Sequence, residues 1–491
     1  MYRGVMVKQE QIAVRNAGLL LAQRGSHILT GLLFAFLVPR LMGPETFGRY
    51  ALITSIFIWF ALVSGISSAQ TMSRFVPQFV VKDDQEGLQK FLGNLLMLRL
   101  ANGAVAAALY ILATSFWFPE LDLLTLAMVA VTIFIRSWAK LLFAIFLGLN
   151  QAARWAMGET VNRWVSLAFI IFGFYLGGLR GACLGLLLTE LTVLFIGAVW
   201  AWPYISWSKL GLDRNYLAPY LRYSLSFYGS NVLWSLSQHS GEIIVRVVSS
   251  DYKEVGYYGV AYRVYFTLAV TIWQLTIAFG PLMTTMLAEE RVEDLKALVE
   301  SLLKWMATGG VFLIFFVILL GDDLVPLAFG GDYKPAAANL TLLILALLAY
   351  GLGCVARLLA LTYDRPGVAT RAALINLAGF LGFGLLLVSW RGSLGACIAV
   401  LVSSALYAGY FTWSMRKALT YSLRNWTQII LIGVLFLPLA LLQSSWWINV
   451  ILFVIFATLY ISALFMLRIV TSSEIAGIRR ALKPKVATTK A

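Results

Sequence analysis

Residues 181–199 read GACLGLLLTELTVLFIGAV, nineteen residues in which Glu190 is the single charged side chain. A helix of this length can cross the hydrocarbon core of a bilayer, which needs about 20 apolar residues. Fourteen windows of this kind follow one another along the 491 residues. Their apolar residues run unbroken instead of alternating at every second position, which excludes the strands of a membrane barrel. The sequence therefore predicts an all-α polytopic membrane protein.

The composition also predicts a chain that lies mostly in a membrane. Hydrophobic residues make up 60% of it, charged residues only 12%, and the mean hydropathy is +0.82, whereas about 25% of the residues of a soluble domain are charged. The 38 lysines and arginines outnumber the 23 acidic residues. Such an excess is usual in the cytoplasmic loops of helical membrane proteins, so we expect no nucleic-acid partner.

The basic residues are divided unequally between the two sides of the membrane. If the N-terminus is cytoplasmic, the cytoplasmic segments contain 25 lysines and arginines, and the opposite side contains 7. The positive-inside rule then predicts a multi-pass protein of the cytoplasmic (inner) membrane with both termini in the cytoplasm. The segment before Asn16 lacks a cleavage pattern and is expected to be retained. The basic C-terminal segment is expected to contact anionic membrane lipids.

Two sequence echoes indicate an internal repeat. Residues 178–183 (GLRGAC) match residues 392–397 (GSLGAC) at an offset of 214, and residues 47–50 (FGRY) match residues 255–258 (VGYY) at an offset of 208. These echoes map helices 1–6 onto helices 7–12. Because six is even, both halves enter the membrane in the same direction, and their pseudo-symmetry axis runs along the membrane normal. The predicted parts are an N-terminal lobe (1–210), a C-terminal lobe (211–417), two extra helices (418–470) and a basic cytoplasmic tail (471–491).

Six cations fall inside the predicted helices, against two acids, one deep in the sixth helix and one toward the outer end of the seventh. The acids are Glu190 and Glu242; the cations are Arg24, Arg99, Arg136, Lys140, Arg263 and Arg357. A lysine or arginine at the bilayer centre costs about 2.5–3.5 kcal/mol, so such residues usually face a cavity or a partner. Two acids cannot pair with six cations. We therefore expect a water-filled cationic cavity whose ligand is an anion, and arginine suits pyrophosphate because its planar fork donates two parallel hydrogen bonds.

Individual roles follow from position along the helices. Arg24 is central in the first helix and shares a face with His27; we expect both to bind substrate, the alternative for Arg24 being a pair with Glu190. Substrate contact is also expected for Arg99, Arg136, Lys140 and Arg263. For Arg136 and Lys140 the alternative is that their side chains snorkel to the inner membrane surface. Snorkelling is the expected role of Arg357.

The acids and histidines suggest charge compensation or ion coupling. Glu242 and Arg246 are four residues apart and are expected to pair with each other. Glu190 is expected either to neutralise an arginine or to carry a coupling proton. His239 is more simply a packing residue than a proton relay. The coupling ion would be a proton or sodium.

No cofactor or metal site is predicted. Cys183, Cys354 and Cys397 lie in apolar runs without a CxxC or Cys/His spacing and are interpreted as packing residues. The chain has no DxD or Walker motif, and its longest loops are about 20 residues. A membrane glycan polymerase or glycosyltransferase would need a larger extramembrane part, so we expect a secondary transporter and not an enzyme.

Residues 41–51 read LMGPETFGRYA. This stretch resembles the LGPxxFGxYA signature of the Wzx-type polysaccharide flippases in the multidrug/oligosaccharidyl-lipid/polysaccharide (MOP) exporter superfamily. The resemblance implies two pseudo-symmetric bundles, alternating access, and transfer of an undecaprenyl-pyrophosphate-linked oligosaccharide from the inner to the outer leaflet.

Two other transporters of this superfamily are alternatives. A lipid II flippase of peptidoglycan synthesis would share the fourteen helices and the intramembrane arginines. A multidrug and toxin extrusion (MATE) exporter handles organic cations and needs acidic residues in its cavity, so the cationic interior argues against it.

Overall fold

The computed structural model describes residues 2–65, 69–472 and 474. In these ranges the chain forms fifteen α-helices and four short 3₁₀ segments and no strand. The helices are α1 (Tyr2–Ser64), α2 (Ala69–Val81), α3 (Gln85–Trp117), α4 (Leu123–Gly148), α5 (Ala152–Ala201), α6 (Arg214–His239), α7 (Gly241–Ser249), α8 (Tyr252–Ile277), α9 (Gly280–Ala288), α10 (Val292–Phe329), α11 (Ala336–Thr362), α12 (Pro366–Arg391), α13 (Ser393–Arg416), α14 (Arg424–Leu435) and α15 (Trp446–Met466). Carboxylates cap the starts of α3 and α4: Asp84 accepts from the Gly87 amide, and Asp122 from the Thr125 amide.

Two of the long helices contain a break at glycine. The backbone of α1 leaves helical geometry at Gly43 (φ 70°), and that of α5 does so at Gly177 and Gly178 (φ 57° at Gly178). A Cβ atom on Gly181 would lie 1.8 Å from the carbonyl oxygen of Gly173. These two residues are equally far from Gly177, so the chain reverses there, and the two arms of α5 pack backbone against backbone.

Eleven segments of the described residues are long and apolar enough to cross a membrane. Two of them contain these breaks: Gly25–Ser64 with 40 residues and Ala152–Tyr204 with 53, both longer than the roughly 20 residues of one crossing. The prediction of an all-α multi-pass membrane protein is confirmed. The expected number of fourteen membrane-spanning helices stays a prediction.

The segments that echo each other in sequence have the same local geometry. Gly392 has φ 56°, close to that of Gly178, and a Cβ on Gly395 would lie 2.0 Å from the carbonyl oxygen of Leu387. Leu387 and Gly395 are therefore eight residues apart across their turn, as Gly173 and Gly181 are across theirs. Both turns need a glycine because their φ angles are strained for other residues.

The second echo marks a direct contact between the two repeats. A Cβ on Gly48 would lie 1.9 Å from the carbonyl oxygen of Tyr252, and a Cβ on Gly256 would lie 2.1 Å from that of Pro44. At the offset of 208, Pro44 corresponds to Tyr252 and Gly48 to Gly256. The contact is thus reciprocal, as in a two-fold interface where each patch meets its own equivalent.

The helices cluster into two compact units built from separate stretches. Unit 1 comprises Met1–Thr267, Ala328–Tyr333 and Ala373–Ala399, and unit 2 comprises Leu268–Leu327, Lys334–Ala372 and Val400–Ala491. One core of unit 1 is rich in buried aromatic residues of α3 and α4, including Phe91, Phe143 and Phe146. In unit 2, the rings of Phe315 and Phe456 stack with centroids 4.0 Å apart and join α10 to α15. The division into lobes at residues 210 and 417 stays a prediction.

Candidate functional site

A polar cavity of about 530 Å³ lies within unit 1, a size typical of ligand pockets. Helices α1, α4, α5, α6, α7 and α8 contribute its wall. Its titratable lining consists of Arg136, Lys140, Arg163, Arg263, Glu159, Glu190, Glu242 and His239, with Tyr50 and Tyr262. Of the nine site residues predicted from the sequence, the structure brings six to this cavity: Arg136, Lys140, Arg263, Glu190, Glu242 and His239.

Arg136 and Glu190 form an ion pair across the wall of the cavity. The Arg136 guanidinium lies 2.5 Å from the Glu190 carboxylate, and the side-chain amide of Asn162 lies 3.5 Å from the same oxygen. Arg136 also lies over the ring of Phe57. The other carboxylate oxygen of Glu190 is buried without a hydrogen-bond partner among the described residues. Of the two roles expected for Glu190, the contacts display the neutralisation of an arginine.

Lys140 lies one turn after Arg136 on α4 and forms a second ion pair. Its ammonium group lies 2.5 Å from the carboxylate of Glu159 on α5. Sequence reasoning missed Glu159, and it assigned Arg163 to a cytoplasmic loop, whereas Arg163 lines the cavity. The signal that could have found them is helical spacing, because Glu159, Asn162 and Arg163 share one face of α5.

Arg263 of α8 faces the cavity between aromatic rings. Its guanidinium lies 4.6 Å from the ring centroid of Phe34 and 4.9 Å from that of Phe47. Neither Arg263 nor Arg163 forms an ion pair with any residue that the structure describes. These two cations are therefore the ones most available to an anionic ligand.

The predicted pair of Glu242 with Arg246 is wrong. Arg246 binds Glu120 at 2.6 Å and stacks on Tyr252, whose hydroxyl donates to the same carboxylate at 2.6 Å. Partial burial acts to raise the pKa of Glu120, but the hydrogen bonds from Tyr252 and Arg246 outweigh it and lower that pKa below its ordinary value. The long side chain of Arg246 thus reaches a carboxylate in the loop before α4. It pairs with this carboxylate instead of with Glu242, which lies one turn away on the same helix.

Glu242 instead faces the cavity from the first turn of α7. Its side chain is buried, and the Ser55 hydroxyl interacts with it. Its second carboxylate oxygen is buried and has no hydrogen-bond partner in the described part of the chain. His239, one turn earlier, lines the same cavity with its ring 6.4 Å from that of Phe266.

Arg99 does not line the cavity. It is 4% exposed and donates to the backbone carbonyl oxygens of Ser64 and Gly65, where α1 ends. The last carbonyl groups of a helix lack partners within it, so Arg99 caps α1, and its expected contact with substrate is not supported. In unit 2, Arg357 lies over the ring of Trp273 at 4.2 Å.

The remaining predicted residues lie in the first arm of α1. His27 is not among the residues that line the cavity, although Arg163, Glu159 and Lys140 lie within electrostatic range of it. The Trp164 indole donates to the neighbouring Ser26 hydroxyl and joins this arm to α5. The side chain of Arg24 lies outside the described residues.

The expected balance of six cations against two acids is therefore corrected for the side chains that the structure describes. The cavity contains four cations and three carboxylates, because Glu159 is a third acid and Arg99 and Arg357 lie elsewhere. Arg99 is satisfied by carbonyl oxygens and Arg357 contacts an aromatic face. The balance of charges is still positive if all three carboxylates are ionised. Among the residues that the structure describes, no cluster of three or more His, Cys, Asp or Glu is arranged to hold a metal ion.

The sequence matches a known protein family. Residues 13–287, more than half of the chain, match the family described as polysaccharide biosynthesis protein. No curated protein sequence matches the chain significantly.

Solved structures with a similar fold include transporters described as members of the MOP superfamily. An inward-facing MATE multidrug resistance transporter has a TM-score of 0.66 at 18% identity, covering 80% of this chain and 94% of its own. The lipid II flippase MurJ, in an inward closed conformation, has a TM-score of 0.64 at 15% identity, covering 92% and 100%. A MOP transporter from Pyrococcus furiosus, described as having a binding pocket of reverse polarity, has a TM-score of 0.55 at 18% identity, covering 83% and 95%. The resemblance inferred from residues 41–51 is confirmed.

Proposed function

The chain belongs to the polysaccharide biosynthesis protein family, and on this premise we propose that it is a flippase for an oligosaccharide linked to undecaprenyl pyrophosphate. It moves this lipid from the inner to the outer leaflet of a bacterial-type cytoplasmic membrane, with both termini in the cytoplasm. Transport proceeds by alternating access and involves no covalent chemistry. The observation that supports this function best is the set of four cations around one cavity.

Pyrophosphate suits this cavity for electrostatic reasons. Arg163 and Arg263 are without ion-pair partners in the described chain, and aromatic rings flank Arg263. A phosphate group attracts such cations strongly where water is scarce, because Coulomb energies rise as the effective dielectric constant falls. Each guanidinium can donate two parallel hydrogen bonds to phosphate oxygens. Arg163 and Arg263 are therefore the proposed head-group ligands, with Arg136 and Lys140 beside them.

The rest of the wall suits a sugar. Phe34, Tyr50, Tyr262 and Phe266 line the cavity with aromatic rings, and Asn162 adds an amide. The rings of Tyr262 and Phe266 lie nearly parallel on α8, with centroids 6.3 Å apart. Such rings offer apolar faces with polar edges, and sugars have both apolar C–H faces and hydroxyl groups.

A lipid II flippase is the second candidate. Lipid II also carries a pyrophosphate on a polyprenyl chain, so the same cations would bind it, and the fold of MurJ extends over 92% of this chain. The family match favours a polysaccharide precursor. Export of organic cations is disfavoured, because the four cations that line the cavity outnumber its three carboxylates.

The test replaces Arg163 and Arg263 singly by alanine in proteoliposomes that contain a labelled undecaprenyl-pyrophosphate-linked oligosaccharide. Loss of a charge-assisted hydrogen bond removes about 1.5–3 kcal/mol, so we expect delivery to the opposite leaflet to fall by about tenfold or more. Arg291→Ala is the matched control, since Arg291 is exposed and pairs with Glu289 and Asp294 at the surface of unit 2. Wild-type delivery by both cavity variants, at matched protein levels, would contradict the proposed site.

A further inference from the structure

The two ion pairs of the cavity resemble each other in which partner is more exposed. The Arg136 side chain is 33% exposed, but the Glu190 side chain only 5%; Lys140 is 35% exposed, but Glu159 19%. All four side chains line the cavity, and in both pairs the cation is the more exposed partner. An anion that enters therefore meets the cations first and competes with the two carboxylates for them.

If an anion takes Arg136 away from Glu190, a buried carboxylate is left without its ion-pair partner. If Arg136 turns toward a phosphate group, the buried Glu190 carboxylate retains only the neutral amide of Asn162 at 3.5 Å. Its other oxygen already lacks a partner within the described structure. A buried charge that loses its partner strongly destabilises the protein. Protonation removes the charge, so the carboxylate is expected to accept a proton under these conditions.

We propose that the anionic head group and a proton enter the cavity together, because Arg136 changes its partner from Glu190 to the phosphate and Glu190 takes up the proton. This inference rests on the proposed function. No covalent bond to carbon or phosphorus changes: the guanidinium N–H groups donate to phosphate oxygens, and the proton comes from water in the cavity. By linkage, acidification then strengthens binding of the lipid to the same extent as the lipid strengthens binding of the proton.

The charged groups around Glu190 single it out from the other acids. Those facing the cavity are Arg136 and Lys140 on α4, Glu159 and Arg163 on α5, His239 on α6, Glu242 on α7 and Arg263 on α8. Glu242 has no ion-pair partner to lose in the described structure, so its protonation is not tied to the exchange. Glu159 is more exposed than Glu190, so its charge costs less when its cation turns away.

Calorimetry with undecaprenyl pyrophosphate as the probe tests the exchange. The lipid is titrated into the purified protein in detergent near pH 7, in two buffers with different ionisation enthalpies, which yields the number of protons taken up on binding. Glu190→Gln is compared with the wild type. Because the lipid contributes the same proton change to both, the difference between them isolates Glu190.

We expect the wild type to take up more protons than Glu190→Gln, by up to about one proton per lipid. We also expect Glu190→Gln to bind the lipid about tenfold more tightly near pH 8, since Arg136 no longer has to leave a carboxylate. Glu86→Gln is the control, because Glu86 is a carboxylate paired with a lysine outside the cavity. Glu242→Gln should retain the proton uptake of the wild type. Should Glu190→Gln fail to fold, Arg136→Gln supplies the same comparison and should lose the extra proton.

The outcomes separate this inference from the proposed function. Equal proton uptake by the wild type, Glu190→Gln and Arg136→Gln, together with lipid binding that depends on Arg163 and Arg263, overturns the exchange and leaves the flippase proposal standing. Lipid binding that is unaffected by Arg163→Ala and Arg263→Ala, or is absent from the wild type, overturns the proposed function itself.

Discussion

Two buried arginines differ in what surrounds the guanidinium group. Arg99 donates to two backbone carbonyl oxygens at the end of α1, whereas Arg263 faces the cavity between the rings of Phe34 and Phe47. Both lie mid-helix in the sequence, and helical position alone does not distinguish them. The surroundings determine the role, since a guanidinium bonded to backbone carbonyl groups stabilises the structure, whereas one that lines a cavity without an ion-pair partner can attract an anion.

This difference predicts opposite phenotypes for two alanine variants. Arg99→Ala leaves the carbonyl groups at the end of α1 buried and unpaired, which costs about 1–3 kcal/mol or more, so we expect a lower melting temperature in detergent and lipid affinity close to wild type in the fraction that folds. Arg263→Ala should weaken binding of undecaprenyl pyrophosphate with little change in melting temperature. Thermal unfolding and calorimetry on both variants check this. Equal loss of lipid binding in the two would contradict the capping role of Arg99.

At the scale of elements, the helical hairpin is the unit that the sequence repeats. The arms of α5 cross at Gly173 and Gly181 with no room for a side chain, and α12 meets α13 in the same way at Leu387 and Gly395. Small residues permit such close approach of helices in membranes. The hairpin also places Asn162 and Glu190, one on each arm, within reach of each other in the cavity wall.

We therefore expect Gly181→Ala and Gly395→Ala to be strongly destabilising. A methyl group would lie about 2 Å from a backbone carbonyl oxygen, and overpacking of this kind costs about 1–3 kcal/mol or more. The measurement is the fraction of monodisperse protein after extraction, by fluorescence-detected gel filtration. Gly382→Ala is the control, since nothing lies within 4 Å of its Cβ position; wild-type behaviour of all three variants would contradict the close crossing.

At the scale of the whole molecule, residues that are equivalent in the sequence repeat meet one another. Pro44 contacts Gly256, Gly48 contacts Tyr252, and the equivalent residues Glu45 and Lys253 line one small cavity beside them. Proteins that work by alternating access move their repeats relative to each other. Because this contact joins the two repeats, we expect it to change during such a cycle.

Locking this contact should stop transport. We expect a short thiol-reactive crosslinker between Glu45→Cys and Lys253→Cys to abolish delivery of the labelled lipid-linked oligosaccharide. A cleavable crosslinker should allow recovery after reduction, and each single cysteine variant treated in the same way should retain activity. Full transport by the crosslinked protein would show that the two repeats do not separate here during the cycle.

Part of this architecture follows from the amino-acid sequence alone. Long apolar windows predict membrane helices because a bilayer cannot hydrogen-bond an exposed backbone. The internal repeat can be recognised in the sequence because its turns and close helix crossings require glycine at equivalent positions. Cations inside predicted membrane helices, such as Arg136, Lys140 and Arg263, mark the cavity because charge in a membrane is too costly to be retained without a role.

Only the tertiary structure decided which charge meets which. Arg246 binds Glu120, 126 residues away, instead of Glu242 one turn away, and Arg136 meets Glu190 across 54 residues. Helical spacing finds neighbours on one helix, but ion pairs form wherever packing brings opposite charges together out of water. The sequence by itself determined that this is a helical membrane protein with costly internal cations. The packing of α4 against both arms of α5 decided that two of those cations line the cavity, each paired with a less exposed carboxylate.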